Sequence, residues 1–333
     1  MKYLILGCGP AGAFTAKNLR NLLPDAQITL TDVSGKGLYA RMRLPEYLCG
    51  TLPEEKLILS SPEAFEKLSI HCCFGKKTVA IDRAARELVQ EDGTRLGYDI
   101  LILATGAAAF VPPVEGLAQC KHYVLRSLED ASALRTRCHA GLSSGALIVG
   151  GGLLGLEAAA SFGKCHVPVT VAECGKRLLG NQLTEKSSAL LQERLEQMGM
   201  SFHMGDVLSS VRENAEGDIT CTFSSGNTLS CSLLLFSAGI RSRITLAASA
   251  GLETGRGIKV NDQLRTSDEH IYAVGDCAEQ NGVIPGLWLA ARDQAMALSA
   301  ILAGKQESFS IPAYKPELKI NSISLKEISA EAQ

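Results

Sequence analysis

A short apolar strand that runs straight into GxGxxG and then into a helix occurs twice in this chain, and that repetition limits the possible folds more than any other feature. In the first copy Tyr3, Leu4, Ile5 and Leu6 lead into Gly7-Cys8-Gly9-Pro10-Ala11-Gly12. In the second, Ala146-Leu147-Ile148-Val149 leads into Gly150-Gly151-Gly152-Leu153-Leu154-Gly155. The spacing has a physical meaning. The first glycine permits a tight turn, the second lets a pyrophosphate approach the backbone, and the third lets the helix lie close on the strand. Unpaired N–H groups and the positive helix end then face the phosphates. Each copy is followed by a second apolar strand and an acid: Asp32, twenty residues beyond Gly12, and Glu173, eighteen beyond Gly155. An acid at that place can accept both hydroxyls of an adenosine ribose. One such loop is weak evidence, whereas two, each with its acid, predict two similar domains that each bind a dinucleotide.

The rest of the chain fits an α/β protein built on those two units. After Asp32 the arginine-rich stretch Leu38 to Leu48 is too irregular for a strand and reads as cover for a ligand. A short helix is expected over Glu63 to Lys67, then strands of a small meander at Ile70 to Phe74, Thr78 to Asp82 and Glu87 to Gln90, with Asp92-Gly93 as a turn. Tyr98 to Gly106 reads as a buried strand, and Pro112 and Pro113 mark a crossing between domains. Helices are expected to about Arg137 and from Thr184 to Met198, with a strand over Phe202 to Val207 and a hairpin over Asp218 to Leu229. Leu233 to Gly239 echoes the strand that ends in Thr105-Gly106. The strands at Ile258 to Val260 and Ile271 to Asp276, and a helix opening at Ile284-Pro285-Gly286 and reaching about Leu302, then return to complete the first domain.

Composition excludes other classes. The 333 residues allow about two domains, and 46% hydrophobic content supplies their cores. The 33 basic and 35 acidic residues are well mixed, so no field favours nucleic acid or an anionic membrane. The apolar segment before Cys8 is too short for an export signal, and Ala146 to Ala160 carries Glu157 and four glycines, unlike a membrane span. A soluble cytoplasmic protein is expected. None of the eleven cysteines forms CxxC or CxxxxC, and His71-Cys72-Cys73 has no second cluster to complete a metal site, so core thiols are the expectation.

Taken together, the first GxGxxG, the Ala104-Thr105-Gly106 strand end, Leu125-Arg126-Ser127, the second GxGxxG with Glu157, and Val274-Gly275-Asp276 resemble the FAD-dependent pyridine nucleotide-disulfide oxidoreductases. The likeness covers roughly residues 1 to 305 and is nearest to the branch of rubredoxin reductases, ferredoxin reductases and nitrite reductase flavin domains. It implies two Rossmann-like domains of the three-layer ββα type, the nicotinamide domain inserted into the FAD domain. The FAD domain would comprise 1–110 and 240–310, the NAD(P)H domain 111–239, and 311–333 a remnant of the family's C-terminal interface domain. Lys315 to Leu325 resembles only the first strand of that domain.

By the same resemblance FAD is held by Gly7, Gly9, Pro10, Ala11, Gly12, Asp32, Arg41, Thr78, Ala104, Thr105, Gly106, Arg126, Gly275, Asp276 and Trp288. Gly150, Gly152, Leu153, Leu154, Gly155, Glu157, Glu173 and Gly239 take the nicotinamide nucleotide, with Glu157 fixing the carboxamide. The structural alternatives are that Glu157 is a helix N-terminal acid stabilised by the dipole and that Trp288 is a plain core aromatic. Glu173 favours NADH, since it would repel the 2′-phosphate of NADPH, although Lys176 and Arg177 are near enough to admit NADPH as well.

Two departures matter. Met42 stands in the loop where thiol-dependent branches place a reactive cysteine, and Glu46 stands where ferredoxin reductases often have a lysine. The activity implied is hydride transfer from NADH to FAD and then electron transfer to a small rubredoxin- or ferredoxin-like protein, docking at basic residues such as Arg41 and Arg43. The alternatives are a diaphorase or oxidase using quinone or oxygen, and a nucleotide-binding redox sensor or subunit of a larger reductase.

Overall fold

The computed structural model describes residues 1–315, 317–320 and 323–332. It separates into two compact units, the first comprising Met1–Ala40, Ile58–Ala108 and Ile240–Tyr314, the second Arg41–Leu57, Ala109–Gly239 and Lys315–Gln333.

In the first unit five parallel strands lie in the order Ile271–Ala273, Ile100–Leu103, Lys2–Leu6, Gln27–Asp32, Ile70–Phe74. Leu4 and Ile5 are neighbours in sequence and point to opposite faces, yet they are 1% and 0% exposed. Both faces are therefore covered, as a parallel sheet requires. The helices Pro10–Leu22 and Trp288–Leu302 pack on each other, and a three-stranded antiparallel sheet of Thr78–Asp82, Glu87–Gln90 and Arg95–Gly97 forms a further layer.

The second unit repeats this plan. Its parallel order is Tyr123–Val124, Leu233–Phe236, Ala146–Val149, Val169–Glu173, Met200–Met204, and its antiparallel sheet is Leu208–Glu213, Ile219–Phe223 and Thr228–Cys231. Both units are α/β with a parallel sheet, as the repeated motif requires. Asp206 anchors the hairpin turn of the antiparallel sheet. Its carboxylate accepts from Ser224 Oγ at 2.8 Å and from the Ser225 N–H at 3.1 Å, and also pairs with the Ser225 hydroxyl and His203.

Several expectations are corrected. Ile70–Phe74 is the edge strand of the main sheet, paired with Gln27–Asp32, and not part of the meander. Its alternating pattern suits any half-covered strand, so periodicity alone could not place it. The stretch from Leu38 contains a short strand, Leu38–Tyr39, and a helix, Leu44–Leu48, with Pro45 in its first turn. The strand expected to end at Val207 is Met200–Met204, and Leu208–Glu213 is a strand of its own. The helix expected near Pro285 begins at Trp288. Of the stretch expected as an interface-domain strand, Pro316, Asn321 and Ser322 lie outside the described residues, and Leu325 opens a helix, Leu325–Glu331, capped by Ser324. Among the described residues no helix is long and apolar enough to cross a membrane.

Candidate functional site

The two glycine loops have the same geometry, bond for bond. At the first, Gly7 N–H donates to Thr31 O at 2.7 Å and Ala13 N–H to Gly9 O at 2.9 Å. At the second, Gly150 N–H donates to Ala172 O at 2.7 Å and Leu156 N–H to Gly152 O at 3.0 Å. Both outer glycines are sterically compelled. A methyl on Gly7 would lie 2.3 Å from Ala104 O and one on Gly12 1.8 Å from Gly7 O, while Gly150 and Gly155 would meet Ser237 O at 2.4 Å and Gly150 O at 2.1 Å.

The middle glycines differ from these. A methyl on Gly9 or Gly152 meets nothing within 4 Å. Internal packing therefore does not explain why they are glycine, and each faces space into which a ligand backbone can come. Each is also the N-cap of its helix, and neither helix has a side chain capping its first N–H groups. Uncapped donors at a helix start suit a pyrophosphate. Pro10, Ala11, Leu153 and Leu154 belong to these first turns.

The two acids are placed alike. Asp32 Oδ2 accepts from the Cys8 N–H and Oδ1 from the Ser34 N–H, each at 2.7 Å, and Glu173 Oε2 and Oε1 accept from the Gly151 and Gly175 N–H groups, each at 2.7 Å. These bonds hold each carboxylate beside its loop. Glu173 lies in a cavity of about 620 Å³ lined also by Gly151, Gly152, Lys176, Arg177 and Gln182. The Arg177 guanidinium donates to Gly180 O at 3.0 Å.

Other expected residues gather in the first unit. Ala104, Thr105 and Gly106 follow the strand Ile100–Leu103, and Thr105 Oγ1 donates to Arg243 O at 3.1 Å. Gly275 has φ +78°, and a methyl there would come 2.8 Å from the Ala11 side chain, so the Gly275–Cys277 turn that carries Asp276 lies against the glycine-loop helix. Trp288 is half-buried and meets Phe14 edge to face at 6.4 Å. Its helix has no acid in the first turn and no side-chain cap, which leaves its positive end open to an anionic group.

Arg41 and Arg126, expected near FAD, belong to the second compact unit. The Arg126 N–H donates to Asp130 in the capping box of helix Leu128–His139. Gly239, at φ +100°, follows the strand Leu233–Phe236. Arg43 is held by Glu46 through two bonds of 3.0 and 2.7 Å, which depress the Glu46 carboxyl. The pair is exposed at the surface, where Arg43 shares its charge with Glu46. Glu157 is buried on helix Leu153–Lys164, and its Oε1 accepts from the Lys319 N–H at 2.9 Å. Burial raises its carboxyl, and the Lys319 bond opposes that shift.

The profile of the family "Pyridine nucleotide-disulphide oxidoreductase" matches residues 1–295. The chain belongs to that family. The family is one of FAD-containing, nicotinamide nucleotide-dependent oxidoreductases. It is 33% identical to the assimilatory nitrate reductase electron transfer subunit of Bacillus subtilis, over 86% of this chain and 37% of that one. It is 32% identical to the rubredoxin-NAD(+) reductase of Alcanivorax borkumensis, over 91% and 78%. Among solved structures, the reductase of a covalent putidaredoxin reductase–putidaredoxin complex superposes with a TM-score of 0.85 at 29% identity, over 93% of this chain and 76% of that one. The chain spans between 29% and 40% of the nitrate and nitrite reductase proteins it matches.

The residues of this chain fit the family's cofactors. Each unit offers an open middle glycine and an uncapped helix start. Moreover, the buried polar atoms left without a partner among the described residues, Asn18 Nδ2, Thr78 Oγ1, Gln280 Oε1 and Gln294 Nε2, all belong to the first unit. Gln294 accepts from the Gly275 N–H at 2.6 Å. Sequence reasoning passed over it, although a glutamine at a buried position between Ala291 and Ala295 is a visible signal. No comparable signal marks Lys319, whose contribution is a backbone N–H.

Proposed function

We propose that this protein binds FAD on its first unit and NADH on its second, takes a hydride from NADH, and hands the electrons to a small redox protein. FAD, when bound, supplies the conversion between a two-electron donor and a one-electron acceptor. The observation that carries the reading is the duplicated loop with its open middle glycine. A chain with one nucleotide to bind needs only one. The relatives support the acceptor class, since one is a rubredoxin-NAD(+) reductase and another was captured with putidaredoxin.

The chain's own residues supply binding and orientation. Gly7, Gly9 and Gly12 admit the FAD pyrophosphate to the backbone, Asp32 takes the adenosine ribose, and Thr105, Gly106, Gly275 and Asp276 border the rest. Thr78 and Trp288 complete this set. Gly150, Gly152 and Gly155 admit the pyrophosphate of NADH, Glu173 accepts from its ribose, and Glu157 aligns the carboxamide so that the hydride leaves in one direction. Glu173 also makes a 2′-phosphate unfavourable. Lys176 lies in the same cavity and softens that preference, so NADPH is the weaker donor. No thiol is required, which agrees with Met42 standing in the reactive-cysteine loop. The proposed setting is the cytoplasm, where NADH is made and used.

Anaerobic stopped-flow absorbance tests the reading. The FAD-loaded protein is mixed with NADH or NADPH, then with oxidised rubredoxin, ferredoxin or air. Bleaching by NADH followed by reoxidation that is fast with an iron protein and slow with air is expected. A flavin that NADH never bleaches would end the enzyme reading in favour of a sensor or subunit. Fast reoxidation by quinone or air alone would replace the protein acceptor with a diaphorase or oxidase.

A further inference from the structure

The segment after Tyr314 belongs to the second unit. Its Leu318 and Ile320 are each 6% exposed, and Ile328, on helix Leu325–Glu331, is fully buried. That helix packs on Glu185–Gln197, where Arg194 pairs with Glu331. Between the buried Leu318 and Ile320 stands Lys319, whose backbone N–H meets Glu157 Oε1. The segment is thus anchored on both sides of the Lys319 N–H, and that donor is the partner of the Glu157 carboxylate seen among the described residues.

A glutamate side chain has three rotatable bonds, and ordering it costs conformational entropy. A donor fixed by the fold meets that cost before any ligand arrives, which is preorganisation. A bound carboxylate oxygen also restricts which way its mate can point. We propose that Lys319 is a positioning residue of the nicotinamide subsite: its backbone N–H holds the Glu157 carboxylate in the orientation that engages the carboxamide. This rests on the reading of Glu157 given above. It makes the segment 317–320 a working part of the nucleotide site.

The test uses the FAD-loaded full chain with four variants: Lys319→Pro, which removes the donor; Lys319→Ala, which keeps it; Glu157→Ala; and the double variant Lys319→Pro/Glu157→Ala. Calorimetry measures binding of NAD+ and of ADP-ribose, which lacks the nicotinamide. Lys319→Pro is expected to weaken NAD+ about tenfold, the scale of one polar contact, and to leave ADP-ribose unchanged. Lys319→Ala should change neither. Added to Glu157→Ala, the proline should cost nothing more. The proposal is overturned if the proline matches the alanine, weakens ADP-ribose equally, or adds its full effect to Glu157→Ala. Normal NAD+ binding by Glu157→Ala alone would instead refute the role of Glu157. Should Lys319→Pro not fold, Ile328→Ala loosens the anchor at a distance, and the same selective loss of NAD+ is required of it.

Discussion

Single atoms separate the glycines that build the fold from those that serve the ligand. Gly12 and Gly155 have no room for a methyl, whereas Gly9 and Gly152 have open space. Gly155→Ala is therefore expected to lower stability by about 3 kcal/mol, the upper part of the usual range for overpacking. Gly152→Ala should keep the thermal midpoint yet weaken NADH at least tenfold, because the methyl stands where the pyrophosphate approaches. Gly9→Ala should act likewise on FAD. Scanning calorimetry beside nucleotide titration checks both, and equal thermal losses at Gly152 and Gly155 would contradict the assignment. All six glycines were readable from the spacing in the sequence. Their division of roles was read there too, and the structure adds which carbonyl blocks a methyl at each outer position.

At the scale of elements, the antiparallel hairpin of the second unit hangs on Asp206. Its carboxyl is held well below the usual range, first by the Ser225 hydroxyl, with Ser224 and His203 adding to the effect. A depressed folded value means that the contribution is fully present above the unfolded carboxyl value of about 3.9 and is lost as pH falls through the folded one. Asp206→Asn is expected to speed amide exchange across Ile219–Cys231 roughly tenfold or more near neutrality, the scale of a lost charged hydrogen bond. The difference between the two proteins should shrink in strong acid. Exchange rates that differ equally at every pH would show that the charge is irrelevant. The sequence marked this hairpin over Asp218 to Leu229, while the anchoring acid nineteen residues before Ser225 became visible only when the strands paired.

For the whole molecule, two units of one design imply two ligands acting separately on stability. Removing FAD should lower the midpoint of one thermal transition, and adding it back at a hundredfold excess over its dissociation constant should restore about 2.7 kcal/mol. NAD+ should raise a different transition. Calorimetry with each ligand alone checks this, and a single transition moved equally by both would argue against separate sites. The sequence by itself determined the α/β class, the two glycine loops, their acids and the family resemblance, because these depend on local spacing: strand, turn and helix start lie within a dozen residues. Tertiary structure alone decided that Ile70–Phe74 joins the main sheet and that Lys319 reaches Glu157 across 162 residues. Those contacts arise where buried surfaces meet, and no local period or motif records which surfaces those will be.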